Sequence, residues 1–411
     1  MKNEIPQLMA TKDVDAIWVT GAGQHNPFMV YLTGAGHVTN ADVVIVKGAE
    51  PVIFCGAMER EEAQKSGFTV KLYDEFPLKQ FLKQANNDED IAIANRLAAM
   101  FQSVGLLQGG ILLYGEKELN NFLPLVDNFR SLYPEYRFIG NRKSNVLQKA
   151  MLTKDSEEID HIKQVGEGTV EVVSRVENYL AGCREEKGVL VDSQDDPVTI
   201  GMVKRKIDLW LNEVGLENPE GVIFSIGRDA GIPHSAGNPE DYIKTGETIV
   251  FDIFPCERGG GYYHDFTRTW CVGYAPDHIQ AAYDRVKDAY QRVVKELTIN
   301  APFRDSQKLT CEIFREMGYP TIENVPGTQE GYVHSVGHGI GMHVHESPFC
   351  GMTASEDDTL QPGAVFTIEP GLYFPSQGFG IRLEDTFVMK NDGDFETLVD
   401  YPMELVIHLK S

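Results

Sequence analysis

Four carboxylates set inside apolar, strand-like runs constrain this 411-residue chain more than any other feature. Asp252 lies in TIVFDIF, flanked by Phe251 and Ile253, and Asp265 follows 13 residues later in HDFTRTW, beyond a turn made of Gly259, Gly260 and Gly261. Glu369 in AVFTIEPGLYF and Glu384 in IRLEDTFVM repeat the arrangement 15 residues apart, around a turn near Pro375 and Gly378. A carboxylate in a buried strand is costly unless it is paired or bound to a cation. Hairpins of this length bring the two acids of each pair side by side, and four converging acids repel one another. A pair of metal ions turns that repulsion into coordination. Two hairpins that each carry two acids also hint at an internal pseudo-symmetry, although no tandem repeat is visible.

A histidine supply lies in YVHSVGHGIGMHVHESP, where His334, His338, His343 and His345 cluster. Gly337, Gly339 and Gly341 let backbone approach closely around His338. A set of Asp252, Asp265, His338, Glu369 and Glu384 is oxygen-rich with one imidazole. It suits two divalent ions of the manganese, iron, cobalt or zinc kind, with manganese the first expectation. Two such ions, about 3.5–4 Å apart, bring the pKa of a shared water towards neutrality and generate a hydroxide nucleophile. Taken singly, each of these residues is more often a surface or capping group than a ligand. The whole set, each member in an apolar or glycine-rich setting, carries the expectation.

The length exceeds one compact core at roughly 100–200 residues per domain, so two domains are expected. Over residues 14–55, β-rich runs (DAIWVT, FMVYLTG, ADVVIVKG and PVIFCG) alternate with turn signals. Helices are expected near 57–66 and 77–85, and further strands near 111–114 and 136–139. This interleaving predicts a smaller α/β domain over 1–150. From Asp155, with Glu158 three residues on as a capping box, apolar residues recur at helical spacing up to a stop at Gly182. That helix opens a second domain, 151–411. Further helices are expected over 197–214, 278–297 and 305–317. Helices segregated from the acid-bearing hairpins predict an α+β domain with an antiparallel sheet.

Composition excludes several classes. With 61 acidic and 37 basic residues the net charge is −24, which repels phosphate backbones, so no nucleic-acid partner is expected. No stretch approaches the roughly 20 apolar residues of a membrane helix. The N-terminus lacks the basic-then-apolar order of a signal peptide. Six scattered cysteines without a Cys-x-x-Cys pair fit reduced thiols, and a cytoplasmic location is expected.

These residues resemble, in order and context, the pita-bread metallopeptidases of the creatinase fold: Xaa-Pro aminopeptidases, prolidases and methionine aminopeptidases. The resemblance rests on IPHSAG, FDIF, HDFTRT, HSVGHGIGMHVHESP, TIEPGLY and IRLEDT, and extends more loosely to NPFMVYLTG and VVIVKGAEPVIF as an accessory N-terminal domain. It implies a C-terminal pita-bread catalytic domain that cuts the N-terminal residue from a peptide substrate, with proline after the cut. The resemblance also gives the five residues above as ligands of two metals, and Glu369 as the general base on the water. His234 matches a substrate-binding histidine. His345 matches one that hydrogen-bonds the scissile carbonyl. His334 matches a further histidine lining the site, and Arg382 an arginine that orients ligands and substrate. A homodimer is implied by the resemblance alone.

Two departures stand out. Prolidases follow the HE-x-P segment with an arginine that grips a dipeptide's carboxylate, and here that position is Phe349. The loop CERGGGYYH is slightly longer than usual, and Arg258 and His264 on it are expected to be solvated. His343 is expected at the rim. Two other activities stay open on this fold: a metal-dependent lyase or hydrolase of a small non-peptide substrate, and a non-catalytic peptide-binding relative. Retention of all four acids and the imidazole, and of the further histidines, argues against the second.

Overall fold

The computed structural model describes residues 4–140 and 146–410. The chain divides into two compact units: Met1–Met151 together with Arg258–Gly261, and Leu152–Glu257 together with Tyr262–Ser411. No helix among the described residues is long and apolar enough to cross a membrane.

The first unit is built on six strands, β1 (Ala16–Gly21), β2 (Ala41–Val46), β3 (Val52–Cys55), β4 (Thr69–Leu72), β5 (Gly109–Gly115) and β6 (Tyr136–Ile139). They form one mixed sheet in the order β4-β3-β2-β1-β5-β6. Side chains alternate across a strand, and here both faces are covered. Ile17 and Val19 of β1 join one apolar cluster. Ala16 and Trp18 of the same strand join the other. FMVYLTG, expected to be a strand, belongs instead to the helix Pro27–Thr33. The Asn26 side chain accepts from the Met29 backbone N–H and Pro27 supplies a preset φ at the first turn, and this local capping overrides the β-branched and aromatic content. The helices Glu89–Ser103 and Leu119–Leu132, absent from the sequence reading, complete the layer.

In the second unit the long helix Ser156–Ala181 starts at the expected capping box. Asp155 accepts from the backbone N–H groups of Glu157 and Glu158, and Glu158 returns a bond to the Asp155 N–H. Such a box contributes about 1 kcal/mol. Beyond it, two antiparallel hairpins anchor two sheets. Thr248–Ile253 pairs with Phe266–Val272, in a sheet that also holds Val222–Ile226 and Val406–Ile407. Val365–Ile368 pairs with Asp385–Met389, in a sheet with His338–Gly339, Glu346–Phe349 and Phe395–Thr397.

Each sheet is backed by a helix pair. Val165 and Val172 of Ser156–Ala181 and Val203 and Ile207 of Ile200–Glu213 share a cluster with Phe251 and Trp270 of the first sheet. Val286 and Tyr290 of Asp277–Lys295 and Phe314 of Arg304–Glu316 share another with Phe366 and Phe387 of the second. The pseudo-symmetry hinted at by the paired acids is therefore visible as two helix-pair-plus-hairpin halves.

Candidate metal centre

All four acids lie at the ends of those hairpins. Asp252 is the penultimate residue of Thr248–Ile253, and Asp265 immediately precedes Phe266–Val272. Glu369 immediately follows Val365–Ile368, and Glu384 immediately precedes Asp385–Met389. Strand ends are where a side chain can leave the sheet's packing and face a cavity. Here they face one of about 690 Å³, lined by Asp252, Asp265, His338, Glu369 and Glu384.

The ligating atoms of Asp265, His338 and Glu384 lie within 4.8 Å of one another. His338 Nε2 is 3.6 Å from Asp265 Oδ2 and 3.6 Å from Glu369 Oε1. The other ring nitrogen, Nδ1, is 3.1 Å from the Gly339 carbonyl oxygen. That contact places the proton on Nδ1 and leaves the Nε2 lone pair facing the carboxylates, as a metal-binding imidazole requires. Thr267 Oγ1 donates to Glu384 Oε2 at 2.7 Å and fixes that carboxylate's plane.

The acids are in a costly state by themselves. Burial, then Glu384, Asp252 and Glu369, hold the Asp265 carboxyl well above its ordinary pKa. Burial and then Glu384 do the same to Glu369. Burial, then Asp252, push Glu384 up to about 8. Asp252 Oδ1, Asp265 Oδ1 and Glu384 Oε1 are buried with no hydrogen-bond partner among the described residues. Buried, unpartnered carboxylate oxygens converging beside an imidazole lone pair fit the donor set of two hard-to-borderline divalent ions.

A second layer of contacts holds the cluster. Arg382, only 3% exposed, pairs through Nη2 with Asp252 Oδ2. Its Nη1 donates to the Tyr373 hydroxyl at 2.8 Å and to the Pro233 carbonyl at 3.2 Å, and its Nε to Thr267 Oγ1 at 3.3 Å. The Tyr373 hydroxyl is also 2.7 Å from His334 Nε2. His334 Nδ1 lies 3.8 Å from Glu369 Oε2, and burial, then Arg382, press that imidazole down to about 3, so it is neutral. Tyr373 was not singled out in the sequence. Its signal was its place in GLYF, three residues past the glutamate-proline of TIEPG on a hairpin returning to Arg382.

His234 and His345 are exposed and line the same cavity as the acids. The rings of His345 and His338 are 4.2 Å apart. His343 is partly buried, 3.7 Å from Glu346 Oε2. Phe349, 46% exposed, lines the same cavity. Among the described lining residues the cations are Lys204 and Arg382, and both are engaged. Lys204 Nζ donates to the carbonyls of Val222 at 3.0 Å and Ala236 at 2.5 Å.

His264 overturns its expectation. It is fully buried, not solvated, and both ring nitrogens lack a partner among the described residues. Its ring fills the space left by Gly166, where an added Cβ would lie 2.6 Å from His264 Cδ2. Burial lowers its pKa to about 3, so it packs as a neutral ring. The space beside Gly166, almost a hundred residues earlier in the chain, accommodates the ring, which composition alone does not reveal. Arg258 is exposed, as expected.

Comparison with known proteins places this geometry. The model of metallopeptidase family M24 matches residues 160–391. The probable dipeptidase PepE of Mycobacterium tuberculosis is 28% identical over 264 residues, covering 64% of this chain and 63% of that protein. The matched stretch thus spans just under two thirds of that relative's length. The Xaa-Pro dipeptidase of Pyrococcus furiosus is 25% identical over 407 residues, covering 96% of this chain and 97% of that one. Among solved structures, an X-Pro aminopeptidase from Thermotoga maritima superposes with a TM-score of 0.75 at 22% identity, covering 98% of this chain and 100% of its own. Likeness at that identity carries the fold: an N-terminal α/β domain followed by a mixed α+β pita-bread domain.

Proposed function

The chain belongs to metallopeptidase family M24, and from that premise we propose that it is a two-metal aminopeptidase that removes the N-terminal residue from Xaa-Pro peptides. The observation that carries this reading is the cluster of buried carboxylate oxygens without partners among the described residues, converging with the Nε2 face of His338 in one cavity. Asp252, Asp265, His338, Glu369 and Glu384 would hold the ions, with manganese the first candidate and cobalt, zinc or iron alternatives. When bound, the ions supply Lewis acidity and a water acidified towards neutrality.

The protein's own groups do the rest. Glu369, 15% exposed at its side chain, faces the cavity and takes the water's proton as general base. His345, in the same cavity beside His338, donates to the scissile carbonyl oxygen as charge develops on it. His234 holds the substrate at the cavity mouth. Arg382 and Tyr373 fix Asp252 on one side and His334 on the other, so that neutral His334 presents a defined face to the substrate. Residues 1–150 serve as the accessory domain and 151–411 as the catalytic one. A cytoplasmic homodimer is the working assembly, and six buried, free cysteines suit a reducing compartment.

Peptides longer than two residues are favoured. Phe349 cannot pair with a dipeptide's carboxylate, and Lys204 and Arg382 have donors committed to protein acceptors. The test is a panel with added manganese: Xaa-Pro dipeptides, longer Xaa-Pro peptides and Met-initiated peptides. Cleavage of the longer Xaa-Pro peptides above the others is expected. Preference for dipeptides removes the Phe349 argument, and no cleavage of any member removes the aminopeptidase reading.

A further inference from the structure

The two acid pairs belong to two different sheets, so something must set the distance between them. The hairpins meet at the isolated antiparallel bridge between Thr267 and Glu384. There the Glu384 N–H donates to the Thr267 carbonyl at 3.1 Å. One residue along each strand, on the opposite face from the acids, stand Arg268 and Asp385. Arg268 is 1% exposed and Asp385 4% exposed.

Arg268 spends all five of its N–H donors here. Nη1 donates to the Glu384 carbonyl at 2.8 Å and to the Thr267 carbonyl at 3.0 Å. Nη2 donates to Asp385 Oδ1 at 2.8 Å and to the Tyr401 carbonyl at 2.9 Å. Nε donates to the Pro402 carbonyl at 3.1 Å. The guanidinium lies over the Phe266 ring at 4.1 Å. Asp385 is held from its other oxygen by the Tyr290 hydroxyl at 2.6 Å. Nη1 therefore grips the backbone on both sides of the hairpin junction, while Nη2 ties it to the C-terminal segment.

We propose that Arg268 is a positioning residue for the metal centre: from behind the sheets it clamps the Thr267–Glu384 junction and fixes the spacing between the Asp252–Asp265 and Glu369–Glu384 pairs. This rests on the two-metal reading above. Lysine keeps the charge but has three donors on a single nitrogen, so it cannot span the two carbonyls and three further acceptors. A constellation of ligands has to be held within about 0.5 Å of its working geometry, and a lost clamp loosens all of it.

The test uses the full-length protein, wild type and Arg268→Lys, with manganese chloride titrated by calorimetry and backbone hydrogen exchange followed on the metal-free form. Arg268→Lys is expected to bind manganese about 10–100-fold more weakly. Exchange is expected to quicken at Glu384 while strands such as Val222–Ile226 keep wild-type protection. A merely structural arginine would lower the melting temperature and leave the manganese affinity of the folded protein unchanged; that result overturns the proposal. If Arg268→Lys does not fold, Tyr290→Phe carries the test, because it frees one oxygen of Asp385 and leaves the guanidinium in place. It is expected to weaken manganese binding at least about threefold, on the milder side of such supporting contacts, and wild-type affinity overturns the clamp. Should the wild type bind no manganese, the two-metal reading fails, while the exchange comparison still decides the clamp.

Discussion

Loading the centre with metal should expel protons, and the structure sets how many. In the metal-free protein Glu384 is pushed up to about 8 by burial and by Asp252. At pH 6.5, below that value, such a group is mostly protonated. Asp265 and Glu369 are raised by burial and by the same neighbours, so the acids titrate as one coupled set. A metal ligand must be deprotonated. Manganese uptake at pH 6.5 should therefore release about one proton from Glu384, and up to about three with Asp265 and Glu369. The number should shrink as pH rises through 8.

The assay is calorimetric titration in buffers of different ionisation enthalpy, where the slope of apparent enthalpy against buffer enthalpy counts protons. The sign extends to stability. A carboxyl whose folded pKa is raised stabilises the fold below its unfolded value, near 4.5, and that contribution is lost as pH rises through about 8. The metal-free protein should thus melt higher at pH 5.5 than at pH 8.0 through these groups, whereas metal binding tightens with pH. A slope of zero at pH 6.5 would refute the reasoning, because it would mean that the acids are already ionised without metal.

Other outcomes follow from particular contacts. Glu369→Ala should abolish hydrolysis with the melting temperature of the metal-free protein preserved or raised, since it removes one member of a self-repelling cluster; retained activity takes Glu369 out of the mechanism. Tyr373→Phe removes the hydroxyl shared by Arg382 and His334, and kcat should fall by about 10-fold or more, as for loss of an oriented hydrogen bond in an active site; an unchanged kcat shows that the contact is incidental. Phe349→Arg should raise kcat/KM for Xaa-Pro dipeptides relative to their amidated forms, measured side by side. Asp155→Ala, which breaks the capping box of Ser156–Ala181, should cost about 1 kcal/mol in denaturant unfolding.

Much of the site was legible because its chemistry contradicts its surroundings. Acids in apolar strands and histidines among glycines are informative where ordinary core residues are not, and all of the singled-out ligands line one cavity. The capping box at Asp155 was legible because it is purely local. FMVYLTG carries the aromatic and β-branched residues of a strand, and the Asn26–Pro27 cap nonetheless makes it a helix. His264 and Tyr373 were missed or misplaced for another reason. Their environments are made by residues distant in sequence: Gly166 opens room for the first, and His334 and Arg382 give the second its partners. Arg268 belongs with them, since its acceptors come from residues 267, 384, 385, 401 and 402.

The central claim is the paired-metal centre, and a crystal of the manganese-reconstituted protein tests it most directly through anomalous scattering combined with elemental analysis. Two ions per chain are expected, about 3.5–4 Å apart, within bonding distance of Asp252, Asp265, His338, Glu369 and Glu384. No bound ion after reconstitution, or ions held away from these five residues, would contradict it.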